Sequence, residues 1–187
     1  MPSTTSLPKS QRAIVQDANG QPILVQDAAI PKLLPGTLLI RTTAVALNPS
    51  DYKMGTSFPS QGAIVGMDFT GEIIRIDPDA ATLRPDLSIG DTVCGVIHGS
   101  NPAVRDNGSF AEYLRAPAGL VLKVPKDKMR PEDAATLGVA LATNALALWD
   151  ALKLPASPDA PAKEPLDVLV YGGSTACGTM AIQLLKL

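Results

Sequence analysis

Histidine and cysteine are nearly absent from this sequence: among 187 residues there is one histidine, His98, and two cysteines, Cys94 and Cys177. That is too few for a disulfide framework or a Cys/His zinc site, which excludes a structural zinc. An excess of positive charge is missing too. Lysine and arginine number 16 against 18 aspartates and glutamates, the net charge is −2 and the pI is near 5.3, so no basic field draws in nucleic acid or anionic lipid. The opening residues Met1-Pro2-Ser3-Thr4-Thr5-Ser6 lack a charged segment followed by an apolar one, which argues against a secretory signal and for a reducing, cytoplasmic setting. Long apolar runs are also lacking. The longest uncharged stretch, 134–149, contains Thr136, Thr143 and Asn144 and falls short of the ~20 residues that cross a bilayer. It reads as a buried helix of a soluble protein, with neither membrane nor nucleic acid as an expected partner.

What is present is a globular composition, 45% hydrophobic and 18% charged, long enough for one domain or one plus part of another. Seventeen prolines and fifteen glycines fall between short β-rich runs at 13–16, 23–25, 37–47, 64–76, 91–97, 109–114 and 120–124. That spacing predicts a mainly antiparallel β fold, a partly closed barrel. After Pro125 the texture changes. Pro131-Glu132-Asp133 puts a proline and two carboxylates where a helix start favours them, and a second, apolar helix is expected over 140–152. The segment 155–165 is proline-rich with little to bury and reads as an exposed loop. Val168-Leu169-Val170-Tyr171 then has the continuous apolar pattern of a central parallel strand covered on both faces, running into Gly172-Gly173-Ser174-Thr175-Ala176-Cys177-Gly178 and a helix. The expected organisation is a mainly β domain with short helices over 1–150, a loop over 151–165, and the first β-turn-α of an α/β domain over 166–187.

The chemistry-bearing motifs are individually weak. In the glycine turn, Gly172 can make the tight turn and Gly178 can allow close helix packing, while Ser174 and Thr175 either donate to a pyrophosphate or merely cap the helix. Asn48-Pro49-Ser50-Asp51-Tyr52-Lys53 on its own is an ordinary Asx/Ser turn. Gly66-Met67-Asp68-Phe69-Thr70-Gly71 and Gly90-Asp91-Thr92-Val93-Cys94-Gly95 read as turns or bulges, with Cys94 a small buried hydrophobe. His98, with no second histidine or neighbouring cysteine, reads as a surface or loop residue.

Taken in order, N-P-S-D, G-M-D-F-T-G, G-D-T-V-C-G, N-G-S-F-A-E-Y and V-L-V-Y-G-G-S-T, the set resembles the medium-chain dehydrogenase/reductase superfamily from about Arg12 to Leu187. Within it, the Y-G-G-S-T-A turn and the proline-rich insertion look most like the fungal trans-acting enoyl reductases that serve polyketide synthases. The resemblance implies a GroES-like barrel beside a Rossmann domain. It also implies NADPH as hydride donor, and a polyketide synthase or PKS-NRPS carrier domain that presents the enoyl thioester. Asn48 stands where zinc-dependent members have a cysteine and Met67-Asp68 where they have His-Glu, and the four-cysteine lobe is missing, so no metal is expected.

By the same resemblance Ser50, Asp51, Tyr52 and Lys53 lie near the cofactor, and Ser174, Thr175, Ala176 and Cys177 hold its phosphates. Thr143 orders the nicotinamide and the reacting end of the substrate. Asn144, Ala145, Leu146, Ala147 and Leu148 line the acyl channel, with Trp149 and Asp150 continuing the substrate-binding stretch. Lys53 and Thr143 are the catalytic candidates, and no general acid is assigned. The residue that reads the ribose would come some 20 residues past the glycines. Roughly the C-terminal half of the family pattern therefore lies beyond Leu187, and the chain reads as an N-terminal half, a truncated product or a fragment, able to self-associate through an unfinished edge. Two rival readings stand beside this one: a quinone or simple enone reductase of the same superfamily, and a non-catalytic GroES-like remnant that docks on a synthase or pairs with itself.

Overall fold

The computed structural model describes residues 7–187. The chain divides into two compact units, the first ending at Gly138 and the second spanning Val139–Leu187.

In the first unit, β1 (Gln11–Gln16) and β2 (Pro22–Ala28) form an antiparallel hairpin. Its turn is set by Asp17, whose carboxylate accepts from the N–H groups of Asn19 and Gln21, each at 2.8 Å. The remaining strands are β3 (Thr37–Ala44), β4 (Asp68–Ile76), β5 (Thr92–Val96), β6 (Tyr113–Pro117) and β7 (Val121–Lys123). They build an antiparallel sheet in the order β6-β3-β4-β5-β7. Its two outermost strands are consecutive in the chain, joined only by the 3-10 turn Ala118–Leu120, so the sheet curls into the expected partly closed barrel. Period-two side chains fill it: Leu38 and Ile40 from β3, Phe69 and Ile73 from β4, Val93 from β5, Leu114 and Ala116 from β6, and Val121 from β7. At roughly 1.5–3 kcal/mol for each large side chain buried, this cluster is the unit's main source of stability.

Four expectations about elements need correction. The run 37–47 leaves the ladder at Ala44, because Asn48 becomes a helix cap and Pro49 has no N–H to donate. The run 64–76 is a strand only from Asp68, Ile64 making an isolated bridge to Val15. The run 109–114 pairs with β3 only from Tyr113, Ala111 bridging Ala13 instead. Finally, 48–53 is no simple turn: it opens α1 (Pro49–Ser57), with proline in the first turn and the Asp51 carboxylate accepting from the Asn48 N–H at 2.7 Å. A second short helix, α2 (Pro78–Leu83), also begins with a proline, but here the cap residue itself, Asp77, accepts from the Asp79 N–H at 3.0 Å.

The helix expected at Pro131 is α3 (Pro131–Ala135), which packs on the barrel strands β3, β4 and β5. The second is α4 (Gly138–Ala145), which widens into a π-helical segment over Leu146–Ala151. Pro131–Ala151 is long and apolar enough, by length and composition, to cross a membrane, but it carries Glu132 and Asp133 in its first turn and loses its helical backbone at Thr136 and Leu137. Its burial is one-sided rather than complete: Ala140, Asn144 and Leu148, four residues apart, are buried, while Leu146 is 62% exposed.

Beyond the proline-rich loop the expected strand at 168–171 is not formed: 168–170 are irregular, Tyr171 already belongs to the turn, and the segment has no ladder partner. Leu169 and Tyr171 are 93% and 99% exposed. A parallel strand exists only through its neighbours, and none of the described residues supplies one. The chain then turns into α5 (Ala176–Leu184) as expected.

Candidate functional site

The first candidate site is the N-terminus of α1. Asn48 Nδ2 donates to the buried Asp68 carboxylate at 2.8 Å, and the Ser50 hydroxyl donates to Met67 Sδ at 3.1 Å. Of the positions where the sequence reading expects zinc-dependent relatives to carry ligands, Asn48 and Asp68 are thus tied to each other, a neutral amide on a carboxylate, while Met67 takes the hydroxyl of Ser50. Neither an amide engaged in this way nor a thioether suits Zn²⁺. Among the described residues no group of three or more His, Cys, Asp or Glu side chains converges to hold a metal.

The Asp51 carboxyl is raised above its ordinary value by burial, which outweighs the nearby backbone N–H groups of Asn48 and Met67 that favour its ionised form. Its Oδ1 is buried without a hydrogen bond. Cys94 is buried in β5, and burial together with the Asp68 carboxylate pushes its thiol up to about 11, which keeps it protonated and inert. Tyr52 and Lys53, one and two residues further along α1, are exposed.

The other end of α1 is fastened by groups that the sequence reading did not single out. Gly55 lies against Gly20 of the β1–β2 turn, and a Cβ on either would come within 2.1 Å of the other's carbonyl oxygen. Buried Gln16 accepts from the Ser60 N–H at 2.6 Å. The one sequence signal was a glutamine ending an apolar strand just ahead of an Asp-Ala-Asn-Gly turn, a pattern with no local reading. Its partner lies 44 residues away.

The second candidate site is the glycine turn before α5. Gly172 has φ +81°, and a Cβ on Gly178 would meet the Gly172 carbonyl oxygen at 2.2 Å, so helix and turn touch backbone to backbone. Thr175 caps the helix: its hydroxyl donates to the Gly172 carbonyl at 2.9 Å and accepts from the Gly178 N–H at 3.0 Å. Ser174 is exposed, and its hydroxyl makes no hydrogen bond among the described residues. Ala176 and Cys177, both exposed, begin the first turn, where backbone N–H groups lack intrahelical acceptors and the helix dipole favours an anion. This turn fits a phosphate: a side-chain-free cradle, one unengaged hydroxyl, and N–H groups at a helix start.

The structure brings the second site and the proposed substrate stretch together at one point. Asn144, 4% exposed, donates to the carbonyls of Ala140 at 2.8 Å and Cys177 at 3.1 Å, tying α4 to the start of α5. Thr143, Ala145 and Ala147 are exposed, and Leu148 is buried. The Trp149 indole N–H donates to the Ala156 carbonyl at 2.6 Å, pinning the proline-rich loop, and Asp150 pairs with Lys153 at 3.0 Å.

Residues 34–126 match the family profile of the alcohol dehydrogenase GroES-like domain. The trans-enoyl reductase ccsC of Aspergillus clavatus is 48% identical over 188 residues, covering 100% of this chain and 51% of that protein. An alcohol dehydrogenase superfamily protein from Novosphingobium aromaticivorans superposes with a TM-score of 0.75 at 25% identity, over 95% of this chain and 50% of that one. The mycobacterial protein Rv1454c, solved in complex with NADPH, superposes with a TM-score of 0.65 at 26% identity, over 93% of this chain and 48% of that one. The chain spans about half the length of the curated relatives it matches. The chain is thus similar over residues 34–126 to the alcohol dehydrogenase GroES-like domain and, over its whole length, to about half of the trans-enoyl reductase of Aspergillus clavatus.

Proposed function

We propose that the whole protein is a trans-acting enoyl reductase that reduces the α,β-double bond of a carrier-bound polyketide thioester with NADPH. The observation that carries this reading is the 48% identity to a trans-enoyl reductase across the full length of the chain, which includes both candidate sites. In this reading residues 1–150 form the catalytic domain, 151–165 a proline-rich loop, and 166–187 the opening of the nucleotide-binding domain. The partner is a polyketide synthase or PKS-NRPS carrier domain, and the setting is cytoplasmic.

The bound nicotinamide supplies the hydride that reaches the β-carbon of the enoyl group. The chain's own residues bind and orient. The Ser174 hydroxyl, with the N–H groups of Ala176 and Cys177, takes a phosphate, while Thr175 shapes the turn from its capping position. Ser50, Asp51, Tyr52 and Lys53 face the cofactor from α1, a helix fixed at both ends so that its groups hold position through the reaction. Exposed Thr143 orders the reacting end of the substrate. The stretch from Asn144 through Asp150 shapes the acyl channel, with Asn144 acting through its hold on α5. Lys53 and Thr143 are the candidates for handling the proton that the α-carbon acquires. In the 187-residue chain, exposed Leu169 and Tyr171 favour self-association.

The test is NADPH oxidation by the full-length protein, comparing an enoyl pantetheine thioester with a simple quinone. Faster turnover of the thioester is expected. Faster turnover of the quinone would replace this reading with that of a quinone reductase.

A further inference from the structure

Apart from both candidate sites, the first unit contains a small cavity of about 290 Å³ with apolar walls from Val96, Ile97 and Leu120, and with His98, Asn101 and Arg115 among its lining. Arg115 is unusual for a β-strand arginine because its residue is only 7% exposed. Its guanidinium makes one hydrogen bond among the described residues, Nη1 to the Lys32 carbonyl at 2.8 Å. The nearest carboxylate, Asp106, stands at 3.7 Å, beyond hydrogen-bond distance, and is itself 43% exposed. Nε and Nη2 make no hydrogen bond among the described residues, and neither is fully enclosed, so the guanidinium, ion-paired with Asp106 only through Nη1, keeps an accessible edge.

Asp106 does not line the cavity, and the polar groups that do line it suit a site that receives negative charge. The Asn107 side chain is committed to the Arg115 backbone, accepting from its N–H at 2.9 Å and donating to its carbonyl at 2.8 Å, so it fixes the strand under the guanidinium. Asn101 Oδ1 accepts from the Ala103 N–H at 2.9 Å, which turns the Asn101 amide nitrogen toward His98 Nδ1 at 3.2 Å. With Nδ1 as acceptor, His98 carries its proton on Nε2. Arg115, Asn101 and His98 thus offer donors, Thr37 and Asn107 are engaged by backbone groups, and Val96, Ile97, Val104, Pro117 and Leu120 complete the wall.

We propose that this cavity binds a small carboxylate with a short apolar tail, the carboxylate meeting the open edge of the Arg115 guanidinium and the tail lying on Val96, Ile97 and Leu120. The planar guanidinium fork matches a carboxylate, and the volume lies at the small end of ligand pockets, suited to an acyl acid of a few carbons. The proposal is independent of the enoyl reductase reading.

His98 is the only histidine in the chain, so its ring protons report on the cavity without ambiguity. Titrating the untagged chain with butyrate at fixed pH and low ionic strength should shift the His98 Hε1 resonance saturably, with millimolar affinity. Inorganic phosphate, which lacks a tail, should bind more weakly. Arg115→Gln should weaken butyrate by about tenfold or more. Asn101→Asp, which places a negative charge beside the cavity and leaves the Arg115–Lys32 bond intact, should weaken it similarly, and it carries the test if the arginine variant does not fold. A shift that does not saturate, an equal response in Asn101→Asp, or phosphate binding as tightly as butyrate would overturn the assignment.

Discussion

The barrel strands and the segment that follows the proline-rich loop are equally apolar, yet one is a core and the other lies bare. In β4, Phe69 and Ile73 are fully buried because β3 and β5 flank them and Leu38, Ile40, Val93, Leu114 and Val121 pack on them inside the barrel, all drawn from the same 138 residues. At 168–171 the residues are as hydrophobic, but Leu169 and Tyr171 face solvent because no described strand pairs with them. Hydrophobic pattern tells which residues want burial. Whether burial occurs depends on partners distant in sequence, and the two halves of this chain differ in that alone.

The largest expected contrast follows from this. Phe69→Ala should cost about 3–5 kcal/mol, enough to unfold much of the first unit at room temperature. Leu169→Ala should change stability by less than about 0.5 kcal/mol. Urea denaturation followed by circular dichroism checks both, and equal effects would erase the distinction between the two regions.

A second contrast lies within the glycine turn. Ser174→Ala removes a hydroxyl that makes no hydrogen bond among the described residues; if it holds a phosphate as proposed, in the full-length protein the change should weaken NADPH by about ten- to a hundredfold, the worth of a charge-assisted hydrogen bond of roughly 1.5–3 kcal/mol, with stability unchanged. Thr175→Ala removes a helix cap and should destabilise α5 by about 1 kcal/mol, seen as lost helicity. Calorimetric titration and thermal melts separate the two, and the assignment fails if the two variants exchange phenotypes.

The smallest effect concerns α1. Because burial raises the folded-state pKa of Asp51, its protonated form favours the fold: the contribution is complete below the unfolded value of 3.8 and is lost as pH rises through the raised value. Asp51→Asn removes that dependence and keeps an acceptor for the Asn48 N–H. The variant should therefore gain stability relative to the parent as pH rises above 3.8. Urea midpoints measured across pH provide the check, and a gain that grows in the acid direction would reverse the sign of the account.

Much of the barrel was legible in the sequence because period-two apolar runs bounded by glycine and proline report strands locally, and Val93, Leu114 and Val121 pack as those runs imply. The strand ends were not, since Ile64 and Ala111 take isolated bridges to β1 whose partners no local pattern reveals. In α1 the signal was present, proline after asparagine with an acid three residues on, and the competing turn propensity of the same residues masked it. For the candidate sites, the residue types at Asn48, Met67 and Asp68 were readable, but the pairing of Asn48 with Asp68 across 20 residues was not. The split between Ser174 and Thr175, one hydroxyl open and one capping, is likewise a matter of rotamers and backbone geometry that composition does not encode.

Hydrogen exchange of the 187-residue chain, resolved by peptide, tests the difference between the two regions most directly. Amides of β3, β4 and β5 should exchange only through global unfolding, and those of 166–171 at rates close to an unstructured chain, because the former are laddered on both sides and the latter on neither. Protection over 166–171 matching that of β4 would show that the segment forms a paired strand in this chain, and the contrast on which the account rests would be wrong.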